Sequence, residues 1–145
     1  MDILLRAASK SDLEFLYRLH QAAMHAYVVK TWGEWDEAWQ HKYFAEHFDP
    51  DHCEIIVADF KDIGVISVIR AETEIFLKYV ELFPEYQRQG IGTKLLQSLC
   101  AEAKRKALPL TLQVLKVNPA RGLYERLGFL ITGETGTHYR MVRKP

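Results

Sequence analysis

The stretch QRQGIGTKLL, residues 87–96, lies between an apolar run and an amphipathic segment. The run before it, EIFLKYVELF at residues 74–83, is rich in β-branched and aromatic side chains, and Pro84 follows it, which predicts a strand and then a turn. Gly90 and Gly92 stand directly before a predicted helix. The first N–H groups of a helix lack partners and attract anions, and glycine lets an anion approach the backbone closely.

The glycine pair matches neither of the two common nucleotide-binding motifs. A dinucleotide fingerprint needs a third glycine where Leu95 stands, and a Walker loop needs Gly-Lys-Ser or Gly-Lys-Thr, which the chain lacks. An isolated Gly-x-Gly can also serve only as a tight turn. Arg88 adds a guanidinium suited to bidentate phosphate contact. From these residues alone, a phosphate cradle and a plain turn both remain open.

The rest of the chain predicts an α+β fold with a mostly antiparallel sheet and helices packed on its faces. Further strands are predicted at residues 2–7, 53–60, 62–70, 110–117, 129–133 and 138–142. The three central strands indicate an antiparallel meander, and the passage from residues 74–83 to residues 110–117 leaves room for a parallel pair.

Four helices are predicted from helical periodicity and end signals. The first follows Ser9 or Ser11, and Glu14 completes a capping box with Ser11. The second begins near Trp35 and stops before Asp49. The third covers residues 93–108 and the fourth residues 119–127.

The composition indicates one globular domain over residues 1–145, with 48% apolar and 26% charged residues. Because the formal net charge is zero, we expect no broad nucleic-acid binding. No apolar run approaches the roughly 20 residues that cross a bilayer, so no membrane insertion is expected. Cys53 and Cys100 have no short paired spacing and the N-terminus lacks signal-peptide features, which indicates a cytoplasmic protein.

A second block, NPARGLYERLGF at residues 118–129, follows a predicted strand. Together with Gln87-x-x-Gly90-x-Gly92, this block resembles the two sequence signatures of the GNAT superfamily of N-acetyltransferases. The resemblance covers the predicted element order of nearly the whole chain. One departure is that Asn118 stands one residue closer to Tyr124 than in the family pattern.

The resemblance implies a GNAT fold, with a mixed central sheet flanked by helices on both faces, and acetyl-CoA as cofactor. It implies that the loop amides hold the pyrophosphate and that the strand before the loop pairs with the pantetheine arm. The residues that match these family positions are Val80, Leu82, Gln87, Arg88, Gln89, Gly90, Ile91, Gly92, Thr93 and Asn118.

The resemblance also implies that Tyr124 protonates the departing thiolate, although a helix tyrosine can equally pack its ring under the sheet. Glu81 is the candidate base, since strand alternation puts it beside aromatic side chains that can raise a carboxyl pKa. The alternative is an ordinary solvated or ion-paired glutamate. Glu74, Lys78 and His138 are weaker candidates, and the remaining histidines form no metal-binding pattern, so we predict no metal site.

The acceptor pocket is expected where the first two predicted helices connect. Trp35 and Trp39, at helical spacing, are expected on one helix face beside acidic residues, which suits a cationic amine. Trp32 and Tyr27 are the other candidate substrate contacts. The alternative for these aromatic side chains is burial in the core.

The sequence therefore predicts an N-acetyltransferase that transfers an acetyl group from acetyl-CoA to a primary amine by direct transfer in a ternary complex. The alternative is a non-catalytic acyl-CoA-binding sensor or regulatory module. The final two strands can leave an edge that pairs in a homodimer.

Overall fold

The computed structural model describes residues 2–145, and within them seven strands form a mixed sheet accompanied by four α-helices. The strands are β1 Ile3–Ala7, β2 Cys53–Ala58, β3 Lys61–Arg70, β4 Ile75–Leu82, β5 Leu110–Leu115, β6 Leu130–Glu134 and β7 His138–Arg143. The helices are α1 Leu13–Trp32, α2 Glu37–His47, α3 Ile91–Arg105 and α4 Ala120–Arg126. The predicted α+β class is confirmed.

The strands follow the order β1-β2-β3-β4-β5-β7-β6. Antiparallel pairs join β1 to β2, β2 to β3, β5 to β7 and β6 to β7. Strands β4 and β5 are parallel, in a register from Ile75 opposite Leu110 to Leu77 opposite Leu112. The parallel β-α-β passage predicted around the glycine turn is therefore confirmed, and β6 lies at the sheet edge, where Leu130 is 64% exposed.

Contacts group the described chain into two compact units. The first unit contains the chain up to Ser67 together with Val80–Gln87, and its core includes the fully buried side chains of Leu16, Leu19, Ile55, Ile56, Ile63 and Val65. The second unit contains Val68–Tyr79 and Arg88–Pro145, and its core includes Ile75, Leu77, Leu96, Leu110, Phe129 and Met141.

The start of α1 differs from the predicted capping box. The carboxylate of Asp12 accepts the backbone N–H of Ser9 at 2.9 Å, and Arg6 donates to that same carboxylate at 3.0 Å. The Ser11 hydroxyl instead pairs with the Ser9 hydroxyl at 2.8 Å. Ser9, the alternative that the sequence offered, is therefore the N-cap of the turn that leads into α1, with Asp12 as its capping-box partner, and the pairing of Ser11 with Glu14 is wrong.

The start of α2 also lies later than predicted. Asp36 is the N-cap and its carboxylate accepts the backbone N–H of Trp39 at 3.0 Å, so the helix begins at Glu37. A cap of this kind satisfies an N–H group that the helix itself leaves unpaired. Before it, α1 ends at Gly33, whose φ of +90° reverses the chain direction.

Within the first unit, Gly64 of β3 allows a close approach of the backbone at Glu81. A Cβ atom added at Gly64 would lie 2.5 Å from the carbonyl oxygen of Glu81 and 2.6 Å from Cδ2 of Leu82. The N–H of Phe83 donates to the carbonyl of Ile63 at 3.1 Å, which keeps the two backbones in register. A side chain at residue 64 would have to displace one of them.

We expect Gly64→Ala to lower the free energy of unfolding by about 1 to 3 kcal/mol, the usual cost of overpacking. Urea denaturation followed by circular dichroism measures this change. Gly133→Ala is the matched control, because Gly133 is also a strand glycine and an added Cβ there meets nothing within 4 Å. Equal stability of the two variants would contradict the close approach.

Candidate active site

Glu81 lies in β4 and is buried, with 7% of its surface exposed. Its Oε2 atom lies 2.8 Å from Nδ1 of His20, which α1 contributes. A buried carboxylate is costly unless it is hydrogen-bonded, and His20 supplies that partner. The structure thus brings the sequence-predicted candidate base together with a histidine to which sequence reasoning assigned no role.

His20 stands between aromatic rings, with its ring centroid 6.0 Å from that of Trp35 and 5.5 Å from that of Phe44. Burial opposes its protonation, but the hydrogen bond and charge of Glu81 outweigh burial and raise the pKa of His20 above its ordinary value of 6.5. Within residues 2–145, Nε2 of His20 makes no hydrogen bond. This nitrogen is available to a ligand, and 28% of the side chain is exposed.

The connection between α1 and α2 is held by Glu37. Its carboxylate accepts the Trp35 indole N–H at 2.9 Å, the Tyr17 hydroxyl at 2.8 Å and the Gln21 amide at 3.0 Å. The hydrogen bonds from Tyr17 and Trp35 lower the pKa of Glu37. Three donors on one carboxylate fix the position of the Trp35 ring beside His20.

The other predicted substrate contacts in the first unit lie elsewhere on α1 and α2. Trp32 and Trp39 are each 56% exposed, and Trp39 stacks on Tyr43 with a centroid distance of 5.0 Å. Tyr27 is partly buried in α1. The prediction that Trp35 and Trp39 share one helix face is wrong, because Trp35 precedes the N-cap of α2 and is not helical.

The glycine turn forms the start of α3 in the second unit. Gly90 has φ +83° and is the N-cap, and Arg88 also has a positive φ, +62°. The N–H of Lys94 is bonded to the carbonyl of Gly90 at 3.1 Å, so the amides of Ile91, Gly92 and Thr93 lie before the first bond of the helix.

The space that a side chain would occupy at either glycine of this turn is open. A Cβ atom added at Gly90 or Gly92 would meet nothing within 4 Å. Arg88 and Gln89 are exposed, whereas the side chain of Ile91 is buried and anchors the helix. Unpaired N–H groups, a helix dipole and open space fit an anionic group such as a pyrophosphate.

The end of β4 leads into the first unit. The parallel pairs with β5 stop at Leu77, whereas β4 continues to Leu82. Val80 and Leu82 are half-buried there, and the side chain of Gln87 donates to the carbonyl of Leu82 at 2.9 Å. The Gln87 amide group therefore holds the turn that follows β4 against Leu82, the last residue of that strand.

Tyr124 is buried in α4 of the second unit, and its ring meets Phe129 edge to face at 5.7 Å between centroids. Burial raises the pKa of its phenol to about 12. Its hydroxyl makes no hydrogen bond to any part of the chain that the structure describes. The phenol thus stays protonated at neutral pH and can donate its proton.

Asn118 stands at the start of α4, where its Oδ1 atom accepts the backbone N–H of Ala120 at 2.9 Å. That contact is a local side chain-to-backbone turn that precedes the helix, whose N-cap is Pro119. The contact to Ala120 occupies one of the two polar atoms of the Asn118 side chain.

The His138 ring shares a hydrogen bond with the Thr137 hydroxyl at 2.7 Å, and burial lowers the pKa of His138.

Two residues of the candidate site escaped sequence reasoning for different reasons. His20 is separated from Glu81 by 61 positions, and no local pattern links them. Gly64 interrupts a continuous apolar run, which is a known sign of close backbone approach and is detectable in principle.

In residues 2–145, no group of three or more His, Cys, Asp or Glu side chains has an arrangement that could hold a metal ion. None of the helices in the same range is both long and apolar enough to span a membrane.

Comparisons with known proteins connect this geometry to a family. The sequence model of the acetyltransferase (GNAT) family matches residues 13–129, which include the glycine turn and the block around Tyr124. A comparison with curated proteins gave no significant match.

The fold is also similar to solved structures. One is PaiA N-acetyltransferase from Thermoplasma acidophilum in complex with coenzyme A, with 24% identity, full coverage of both chains and a TM-score of 0.75. Another is the ribosomal-protein-S18-alanine N-acetyltransferase from Escherichia coli, with 24% identity, 99% of this chain and 94% of that chain covered, and a TM-score of 0.71. An acetyltransferase from Thermus thermophilus has 16% identity, coverage of 100% and 98%, and a TM-score of 0.77.

Proposed function

Because the chain belongs to the acetyltransferase (GNAT) family, we propose that it transfers an acetyl group from acetyl-CoA to a primary amine by direct transfer in a ternary complex. The observation that carries the proposal is the glycine turn at the start of α3. There, Gly90 starts the helix in the left-handed conformation, and an added Cβ atom at Gly90 or Gly92 would meet nothing within 4 Å, which leaves room for an anionic group at a helix start.

Acetyl-CoA is the acetyl donor of GNAT acetyltransferases, and its thioester supplies an acyl group that is already activated. In our proposal the amides of Gly90, Ile91, Gly92 and Thr93 bind its pyrophosphate, and Arg88 and Gln89 contribute beside them. The backbone of Val80 and Leu82 would bind the pantetheine arm, with Gln87 securing the turn. Asn118 has a contact role through its amide nitrogen, since its bond to Ala120 uses only the side-chain oxygen.

Two proton transfers remain for the protein in this reaction. Tyr124 gives a proton to the departing thiolate, and its raised pKa of about 12 supports this role, since the phenol is protonated when the thiolate forms. The amine loses its proton to the buried pair of Glu81 and His20. Trp35, at the side of this pair, is the aromatic surface against which the amine binds.

The proposal has three further parts. The chain acts as a single acetyltransferase domain, in the cytoplasm, and binds neither nucleic acid nor membrane. Trp32, Trp39 and Tyr27 contact larger acceptors at the surface of the first unit. The edge strand β6, with Leu130 and Ile131 exposed, supports a homodimer.

A panel of amines tests the function. Purified protein is incubated with acetyl-CoA and one of spermidine, L-lysine, kanamycin, a peptide with a free N-terminus, or an N-terminally blocked peptide with one lysine. We expect release of free thiol with at least one amine and a product heavier by one acetyl group in mass spectrometry. Acetyl-CoA binding without transfer to any of them would favour the sensor alternative instead.

Gly92→Glu tests the pyrophosphate site. A glutamate in the first turn suits the helix dipole, so the variant should fold, but its carboxylate enters the space beside the amides. We expect acetyl-CoA affinity, measured by calorimetry, to fall about a hundredfold, because opposing like charges costs several kcal/mol. Gly136→Glu, in equally open space within the same unit, is the control and should bind normally.

Tyr124→Phe tests the acid. Because the hydroxyl makes no hydrogen bond within residues 2–145, phenylalanine should fill the same volume and preserve folding. We expect unchanged acetyl-CoA affinity and turnover lowered about a hundredfold or more, the usual value of a positioned acid. Tyr139→Phe keeps its ring over Lys116 and is the control. Turnover in Tyr124→Phe equal to that control would mean that another group is the acid.

A further inference from the structure

We propose that His20 is the catalytic base that takes the proton from the amine, and that Glu81 is the residue that positions it. This inference rests on the proposed acetyl transfer and assigns its proton acceptor. The sequence pointed to Glu81 alone, whereas the contacts of the first unit separate the two roles.

Glu81 Oε2 and His20 Nδ1 lie 2.8 Å apart, within hydrogen-bond distance. A carboxylate oxygen accepts, and the proposal places the shared proton on Nδ1. A neutral imidazole carries one N–H, so the lone pair of the ring then lies on Nε2. Nε2 makes no hydrogen bond within the described chain and is the atom able to accept a proton.

His20 is more accessible to solvent than Glu81. The side chain of Glu81 is 6% exposed, whereas that of His20 is 28% exposed. An amine that enters from solvent therefore reaches the imidazole before the carboxylate. The rings of Trp35 and Phe44 border the same imidazole and offer a surface for the carbon chain or the charge of the amine.

Acetyl transfer requires two proton transfers, one from the amine nitrogen and one to the sulfur. As the neutral amine forms the C–N bond with the acetyl carbonyl carbon, its nitrogen gives one proton to Nε2 of His20. The C–S bond breaks, and the sulfur takes its proton from the Tyr124 hydroxyl. Solvent then removes the proton from His20 and returns one to Tyr124, so that no oxidant or further reactant is needed.

The surroundings of His20 set the expected pH dependence. Glu81 faces it from β4, while the α1–α2 connection and α2 present the uncharged rings of Trp35 and Phe44. Behind Trp35 stand Glu37, bonded to the indole, and the ring of His25. Since a base must be neutral, kcat/KM should rise with pH through the pKa of His20, which lies above 6.5.

Two substitutions separate the roles. Asparagine at residue 20 keeps an N–H for Glu81 but removes Nε2. In His20→Asn, kcat/KM should therefore no longer rise with pH and should be lowered about a hundredfold. Glutamine at residue 81 still accepts from Nδ1 but carries no charge, so burial then dominates. In Glu81→Gln, the rise of kcat/KM should occur at lower pH, and the maximal kcat/KM should fall less than it does in His20→Asn.

The control is His41→Asn, which removes a histidine that pairs with a carboxylate at the surface, Glu14 at 3.0 Å. All variants are assayed with an amine that the panel shows to be acetylated, and acetyl-CoA affinity is measured in parallel. His41→Asn should keep the wild-type profile. If kcat/KM still rises with pH in His20→Asn but no longer does so in Glu81→Gln, the proposal is overturned and Glu81 is the base.

Nitrogen NMR of the histidine rings provides a readout that needs no acceptor. We expect neutral His20 to carry its proton on Nδ1, with a pKa above 6.5 in the wild type and a lower pKa in Glu81→Gln. A proton on Nε2 of neutral His20 would overturn the assignment even if the enzyme is active. Failure of every amine with the expected NMR result would instead contradict the proposed acetyl transfer.

Discussion

The burial of the Glu81 carboxylate is the constraint around which the first unit is organised. A charge removed from water needs a hydrogen-bonding partner, and His20 of α1 supplies it at 2.8 Å. At the same residue of β4, Gly64 leaves room for the backbone carbonyl of Glu81 to lie close to β3. The side of His20 is bordered by Trp35, whose indole is held by Glu37 at the start of α2. Contacts at Glu81 and at its partner His20 thus involve a glycine and a tryptophan that are distant from them in sequence.

In the second unit, the candidate binding site consists mainly of backbone groups. Gly90 starts α3 in the left-handed conformation with open space at its Cβ position, and the apolar face of the helix, including Leu96 and Leu99, is buried in the core. Tyr124 is fixed by its contact with Phe129, yet its hydroxyl stays uncommitted in the described chain. Rigid packing behind an unpaired polar group is the arrangement that positions a group for binding or proton transfer.

Sequence reasoning succeeded where the signal is local and failed where a distant residue intervenes. All the predicted strands were found close to their predicted bounds, because β-branched runs and turn residues act within a few positions. The Ser11 capping box failed because Ser9 and Asp12 form the box instead, and α2 starts two residues after Trp35 because Asp36 caps it. In both places several capping side chains stand within a few positions, and the folded backbone uses one of them.

The sequence by itself determined the family, the cofactor and the glycine turn, because the conformation at Gly90 and the unpaired amides of a helix start are local properties of adjacent residues. It also identified Glu81 and Tyr124 as groups of interest. Only the tertiary structure decided which side chains stand against Glu81, since α1 brings His20 across 61 positions of chain. The reason is physical: burial and hydrogen bonding between distant elements, unlike helix periodicity or turn chemistry, exist only after the chain has folded.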